Sequence, residues 1–257
     1  MNAQPLLHHT IQGHGPCIVL IHGLFGSLSN LGLLARDLVE DHTVISVDLR
    51  NHGLSFHSET MNYTAMAEDL NQLLDALNIS STVVIGHSMG GKAAMSLAGI
   101  APDKISQLIV LDMAPVAYTQ RRHDNVFAGL RSVIEQKPAT RKDALACLAQ
   151  HVEIEGVRQF LAKSLVSKDG YMQWLFNVDD IIANYHNIQD WQSIAPYHGE
   201  TLFLKGAESD YLMASHQAEI IQQFPNSKAH IIANTGHWLH AEKPQEVLRS
   251  IHRFLSK

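Results

Sequence analysis

The sequence predicts an α/β fold, a mostly parallel sheet covered on both faces by helices. Three observations carry this. Short apolar runs alternate with stretches whose apolar residues recur every three or four positions. The runs lack the in–out alternation of a half-exposed sheet, so both of their faces are buried, as right-handed βαβ crossovers require. The chain has 257 residues, 46% of them hydrophobic and 17% charged, enough apolar surface for a large core and too much for disorder.

The elements follow in order. Residues 17–23 (CIVLIHG) read as a buried strand, and Leu31, Leu34 and Leu38 mark one face of a helix. A strand over 43–49 precedes a helix over 65–77, with Met66, Leu70, Leu73, Leu74 and Leu77 on one side. A strand over 83–86 leads into a helix starting near Met89, and 107–112 is the next strand. The alternation then stops. Residues 117–191 show helical patterns only, over 125–135, 141–152, 157–165 and about 171–185. Strand and helix alternate again from 201–206, through a helix at 215–224 and a strand at 229–233, to a last helix at 245–255. The predicted organisation is a core of residues 1–116 and 192–257 with a helical cap of 117–191 inserted in it.

Composition excludes several classes. A net charge of −6 makes the chain a poor nucleic-acid binder. No run of about 18 apolar residues predicts a membrane helix. The N-terminal stretch lacks a basic start followed by an apolar run, so a cytoplasmic location is expected, with a monomer or small homo-oligomer. Cys17 and Cys147 have no zinc or disulfide spacing. The 17 histidines are the unusual count.

The strongest motif is Gly86-His87-Ser88-Met89-Gly90, between a strand and a helix. A serine there turns so sharply that side chains two positions away on either side would collide, which is why Gly86 and Gly90 flank it. The turn exposes the hydroxyl beside the N–H groups of a helix N-terminus. A second motif, His22-Gly23-Leu24-Phe25-Gly26, follows the first buried strand. Its loop can set the Leu24 N–H opposite that of Met89 as a pair of donors to an oxyanion, with His22 bracing the loop. A third, Asn234-Thr235-Gly236-His237-Trp238, puts His237 at the carboxyl end of the last strand, where open α/β sheets place their sites. There it can serve as general base, and its protonation on acidification would remove that base. His240, three positions on, has no third ligand to make a metal site with.

Together with Asp-x-Arg-x-His-Gly-x-Ser at 48–55, LDMAPV at 111–116 and GHWLHAEKP at 236–244, these motifs resemble the α/β-hydrolase superfamily. They are similar in particular to its small bacterial serine esterases of the YbfF type. The resemblance spans nearly the whole chain. It implies the α/β-hydrolase fold, here with seven or eight strands because the chain ahead of Cys17 has room for one strand where many members have two. It implies a helical cap, a Ser–acid–His triad and an oxyanion hole. It also implies hydrolysis of small acyl esters or thioesters through an acyl-enzyme, with no cofactor and no metal.

Within that scheme Ser88 is the nucleophile and His237 the base. The acid is Asp112, at the end of the strand that follows the nucleophile helix, with Asp210 as the alternative; many members place theirs three residues past a glycine, but here that residue is Ser209. Asp210 also suits the N-cap of a helix at Tyr211. Phe25, Met89, Trp174, Phe176 and Trp238 are candidate substrate-pocket walls, and His123 an edge of the pocket. Lys92, Arg121 and Arg122 are candidates for attracting an anionic leaving group such as coenzyme A, against plainer roles as a structural contact and a solvated helix start. A cofactor-free haloperoxidase, a C–C bond hydrolase and a ligand-binding receptor on this fold are the alternative functions.

Overall fold

The computed structural model describes residues 5–256; the first four residues of the predicted core, and Lys257, lie outside the described residues. A short strand β1 (His9–Gln12) leads to β2 (Cys17–Ile21), α1 (Gly32–Leu38) and β3 (Thr43–Val47). Then come α2 (Tyr63–Ala76), β4 (Thr82–His87), α3 (Met89–Ile100) and β5 (Ile105–Leu111). A mainly helical segment follows: α4 (Asp124–Gln136), α5 (Arg141–Ala149), α6 (Glu155–Ala162), β6 (Leu165–Lys168), β7 (Tyr171–Trp174), α7 (Val178–Ala183) and α8 (Tyr185–Gln189). The chain closes with β8 (Glu200–Gly206), α9 (Gln217–Gln223), β9 (Ser227–Ile232), α10 (Leu239–Glu242) and α11 (Pro244–Leu255).

Seven strands form one sheet in the order β1-β3-β2-β4-β5-β8-β9. Only β1 runs antiparallel, against β3; all other neighbours are parallel. The sheet therefore has the smaller of the two strand counts the sequence allows. β4 is buried along its whole length, as a central strand covered on both faces must be. Successive side chains of β2 point to opposite faces. Val19 and Ile21 join the apolar layer under α2 and α3, whereas Ile18 and Leu20 join the layer under α1 and α11. Asn62 starts α2 by accepting from the Ala65 N–H at 2.9 Å. Val247, Leu248, Ile251 and Phe254 give α11 its buried stripe.

The stretch between β5 and β8 departs from the purely helical expectation. Residues 171–185 are not one helix: β6 and β7 pair antiparallel, Leu165 opposite Trp174 and Lys168 opposite Tyr171. Asp169 (φ 55°) and Gly170 (φ 85°) make the turn. Two successive positive φ values are what a two-residue hairpin of right-twisted strands demands, and Asp-Gly supplies them cheaply. Asn177 then caps α7. The helix expected at 215–224 is α9, entered through a 3-10 turn over Ala214–His216. No helix among the described residues is long and apolar enough to cross a membrane.

Candidate active site

The turn from β4 to α3 is built on missing Cβ atoms. A Cβ on Gly86 would sit 2.2 Å from the Gly90 carbonyl oxygen, and one on Gly90 would sit 2.4 Å from the carbonyl oxygens of Ile21 and His22. Ser88 takes φ 55° and ψ −121°, a conformation that costs on the order of 1–3 kcal/mol for a residue with a side chain. The surrounding strands and α3 hold it there.

The Ser88 hydroxyl donates to His237 Nε2 at 2.8 Å, and His237 Nδ1–H donates to Asp112 Oδ2 at 2.7 Å. Asp112 follows β5, is fully buried, and has φ 52°. Its Oδ1 accepts from the Gly206 N–H at 2.9 Å, and its Oδ2 also accepts from the Ser209 hydroxyl. Ser209 is thus a site residue that a search for carboxylates passes over; its hydroxyl sits where the chain leaves β8. The other candidate acid goes elsewhere. No helix begins at Tyr211, so Asp210 is not an N-cap, and its carboxylate pairs with Arg122 at 2.5 Å. The imidazole is held from two further sides. Tyr211 stacks on it with centroids 4.0 Å apart, and His87 Nε2–H donates to the His237 carbonyl at 2.9 Å.

The loop after β2 packs directly on this turn, since a Cβ on Gly23 would meet Ser88 Cβ at 3.2 Å. Its shape is imposed by the 48–55 motif. His22 Nδ1–H donates to Gly23 O at 2.7 Å while Nε2 accepts from the Leu49 N–H at 3.1 Å. His52 Nδ1–H donates to Arg50 O at 3.0 Å, and its Nε2 accepts from the Phe25 N–H at 3.1 Å. Asp48 accepts from the Leu28 and Leu54 N–H groups, and Arg50 is tied to Asp69 by two bonds. With the Phe25 N–H so occupied, and the Gly26 N–H turned back to Gly23 O, Leu24 is the residue of this loop beside Ser88 whose N–H those bonds leave out. Met89, first residue of α3 and lining the same cavity as Leu24, has an N–H that a helix does not use internally.

These groups open into a cavity of about 810 Å³ lined by Leu24, Phe25, Met89, Val126, Phe160 and Trp238 among others. Trp174 and Phe176 are corrections to the predicted lining. Their rings stack on each other at 5.0 Å, Phe176 lies behind Phe25 at 5.5 Å, and the Trp174 Nε1–H donates to Leu130 O. Folding of the β6–β7 hairpin turns both into the packing beneath the wall. His123 does line the cavity, as do Lys92, Arg121 and Arg122. Each cation already has a partner: Lys92 Nζ donates to Gln189 O and Asp190 O, Arg121 pairs with Asp124, and Arg122 with Asp210. Burial pulls the Lys92 pKa down to about 7, against the opposing charge of Asp190.

The histidine excess has a physical role here. Burial, above all, lowers the pKa of His52 and His240 to about 3 and of His123 to about 4, and lowers those of His22 and His87 as well. His22 and His52 moreover accept backbone N–H bonds that only a neutral ring can accept. In the unfolded chain each protonates near pH 6.5, so below that pH the unfolded state binds more protons and gains. Each such ring therefore supports folding fully above about pH 6.5 and loses that contribution as the pH falls from there toward the ring's own lowered pKa, at up to about 1.4 kcal/mol per pH unit. Urea midpoints measured from pH 7.5 to 4.5 are expected to hold steady and then drop steeply below pH 6.5; a flat profile to pH 4.5 would refute the buried neutral rings. Among the described residues no group of three or more His, Cys, Asp or Glu is placed to hold a metal, and His240 turns toward His87 at 4.3 Å.

Comparison with known proteins places this geometry in context. Residues 16–244 match the family model of the alpha/beta hydrolase fold. The chain is 51% identical to the protein named Esterase YbfF of Escherichia coli (strain K12), over 93% of this chain and 92% of that one. It is 38% identical to the sn-1-specific diacylglycerol lipase ABHD11 of Mus musculus, over 98% of this chain and 85% of that protein. Among solved structures, one described as a marine microorganism esterase superposes with a TM-score of 0.94 at 36% identity, over 97% of this chain and 99% of its own.

Proposed function

The chain belongs to the α/β-hydrolase family, as an esterase of its YbfF type, and from that premise we propose a serine hydrolase acting on small acyl esters and thioesters through an acyl-enzyme. The observation that carries this is the unbroken line of hydrogen bonds from Ser88 through His237 to buried Asp112, opening on an apolar cavity. His237 takes the Ser88 proton as the hydroxyl oxygen attacks the acyl carbonyl carbon. The N–H groups of Leu24 and Met89 hold the oxyanion; each such donor lowers the barrier by about 3 kcal/mol. The tetrahedral adduct breaks its bond to the leaving oxygen or sulfur, which receives the proton from His237. Water then attacks the acyl-serine, giving its proton to His237; the bond from the acyl carbon to Ser88 Oγ breaks, Oγ takes the proton back from His237, and the acid leaves. Asp112 fixes the tautomer with the proton on Nδ1 and stabilises the imidazolium that forms. Residues 117–191 act as the cap over the acyl pocket, and the paired Arg121 and Arg122 at its start are the place for an anionic leaving group.

A panel of chromogenic esters and acyl thioesters of graded chain length tests this. Turnover is expected across short and medium chains, with loss once the acyl group outgrows the cavity. The KM for anionic thioesters is expected to rise with salt and that for neutral ones to stay level, because ions screen exposed cations. Equal salt effects on both would remove the anion site, and no turnover on any ester or thioester would leave the receptor and C–C hydrolase readings.

A further inference from the structure

Phe25, next to Leu24 in the loop after β2, stands at φ 63°. A left-handed backbone is a genuine outlier for a large side chain and persists only where neighbours over-determine it. Here three contacts do so. The core holds the N–H through His52 Nε2 at 3.1 Å. The segment 117–191 holds the carbonyl, through the hydroxyl of buried Ser164 at 3.1 Å. The same segment surrounds the ring, with Phe176, His123 and Phe127 at 5.5, 5.8 and 6.0 Å. It also steadies the core's own grip, since the Asn177 N–H donates at 2.8 Å to the carbonyl of Asn51, the residue before His52.

We infer that Ser164 is a positioning residue for the oxyanion hole, so that the inserted segment, and not the core alone, sets the direction of the Leu24 N–H. The inference rests on the proposed role of Leu24. The reasoning is geometric. The Phe25 carbonyl and the Gly26 N–H belong to one planar peptide, and that N–H donates at 3.1 Å to Gly23 O, the carbonyl of the peptide that carries the Leu24 N–H. By holding the Phe25 carbonyl, Ser164 holds the Gly26 N–H on Gly23 O, and with the His22 Nδ1–H donating to the same oxygen at 2.7 Å the direction of the Leu24 N–H is shared between segment and core. Without the hydroxyl, a buried carbonyl loses its donor and the strained residue loses one of its restraints. The loop then relaxes toward a negative φ and carries the Leu24 peptide with it. The segment thus does more than wall the acyl pocket: the hole is complete only while the segment is seated.

The test compares Ser164→Ala and Ser164→Cys with Asn184→Ala. Asn184 ties the same segment to a different part of the core, accepting from the Met61 N–H at 3.1 Å and donating to Glu59 O at 2.8 Å. Steady-state kinetics on one chromogenic ester, affinity for an aryl boronic acid and thermal melting are measured for each. A lost oxyanion donor costs about 10²–10³ in kcat, so a misdirected one is expected to cost Ser164→Ala roughly 10-fold or more in kcat with KM within about two-fold. The boronic acid, whose serine adduct places an oxygen in the same hole, is expected to weaken in parallel. Ser164→Cys, a weaker donor of similar size, falls between. Asn184→Ala is expected to melt earlier while keeping its kcat. Wild-type kcat in folded Ser164→Ala, or an equal kcat loss in Asn184→Ala, overturns the inference; if Ser164→Ala does not fold, wild-type kcat in Ser164→Cys overturns it. Ser88→Ala keeps the two readings apart: turnover there removes the nucleophile assignment and this inference with it, whereas an inactive Ser88→Ala beside a fully active Ser164→Ala removes this inference alone.

Discussion

Ser88→Ala is expected to lower ester turnover by on the order of 10⁴-fold or more while leaving the fold intact. The size follows from what the hydroxyl does. In the proposed mechanism its oxygen forms the bond to the acyl carbon, and without it His237 and the oxyanion donors can at best assist a water molecule. The remaining acceleration from bound donors alone is of order 10³–10⁴ over water. The fold is expected to survive because the neighbours of Ser88 impose its conformation. Gly86 and Gly90 let the backbone pass, and the Ser88 N–H is held by Leu111 O at 3.1 Å. Alanine takes the same φ with no larger side chain. The measurement is turnover per folded molecule, with melting as the control. Wild-type turnover in a protein of unchanged melting temperature would show that the cavity chemistry runs through some other group.

The second large effect separates the two carboxylates. Asp112→Asn is expected to cost about 10⁴-fold in kcat. An amide at this place can present N–H₂ toward His237 Nδ1. That favours the tautomer with the proton on Nε2, where it cannot accept from Ser88. The amide also gives up the negative charge beside a forming imidazolium. Asp210→Asn is expected to change kcat by less than about five-fold, since its carboxylate faces Arg122 at the surface, and an exposed ion pair contributes about 1 kcal/mol at most. The comparison is decided by kcat on a common ester. A greater loss in Asp210→Asn than in Asp112→Asn would reverse the assignment of the acid.

Some of this architecture could be read before any coordinates because steric necessity writes itself into residue types. Nothing but glycine fits at 86 and 90, so the turn announced its own serine. The apolar runs of β2, β4 and β5 were equally plain, since strands buried on both faces have no room for polar residues. Other features depend on register, which spacing does not encode. Asp112 and Asp210 both stand just past a strand end, and only the folded chain brings one of them, 125 residues away in sequence, onto His237. The β6–β7 hairpin was hidden because Tyr171, Trp174, Val178 and Ile181 fall at helical spacing; its local signal was the two residues Asp169-Gly170. Trp174 and Phe176 read as pocket wall in the sequence because an aromatic ring suits a wall and a packed interior alike. Ser164 left no trace at all: a single serine after a helix has no pattern to belong to.

The seam between β5 and β8 has a consequence for how the protein is made. The register pairs Gln107 with Glu200 and Leu111 with Leu204, so two adjacent strands of the central sheet are separated in the chain by the whole inserted segment. Closing a loop of that length costs entropy before any pairing repays it, which slows folding. The elements of the nucleophile turn, β4 and α3, precede β8 and β9 in the chain, and His237 follows β9. Until β8 is in place, β5 lacks one of its two parallel neighbours. In the proposed mechanism the nucleophile and its base therefore meet only once the sheet is closed across this seam.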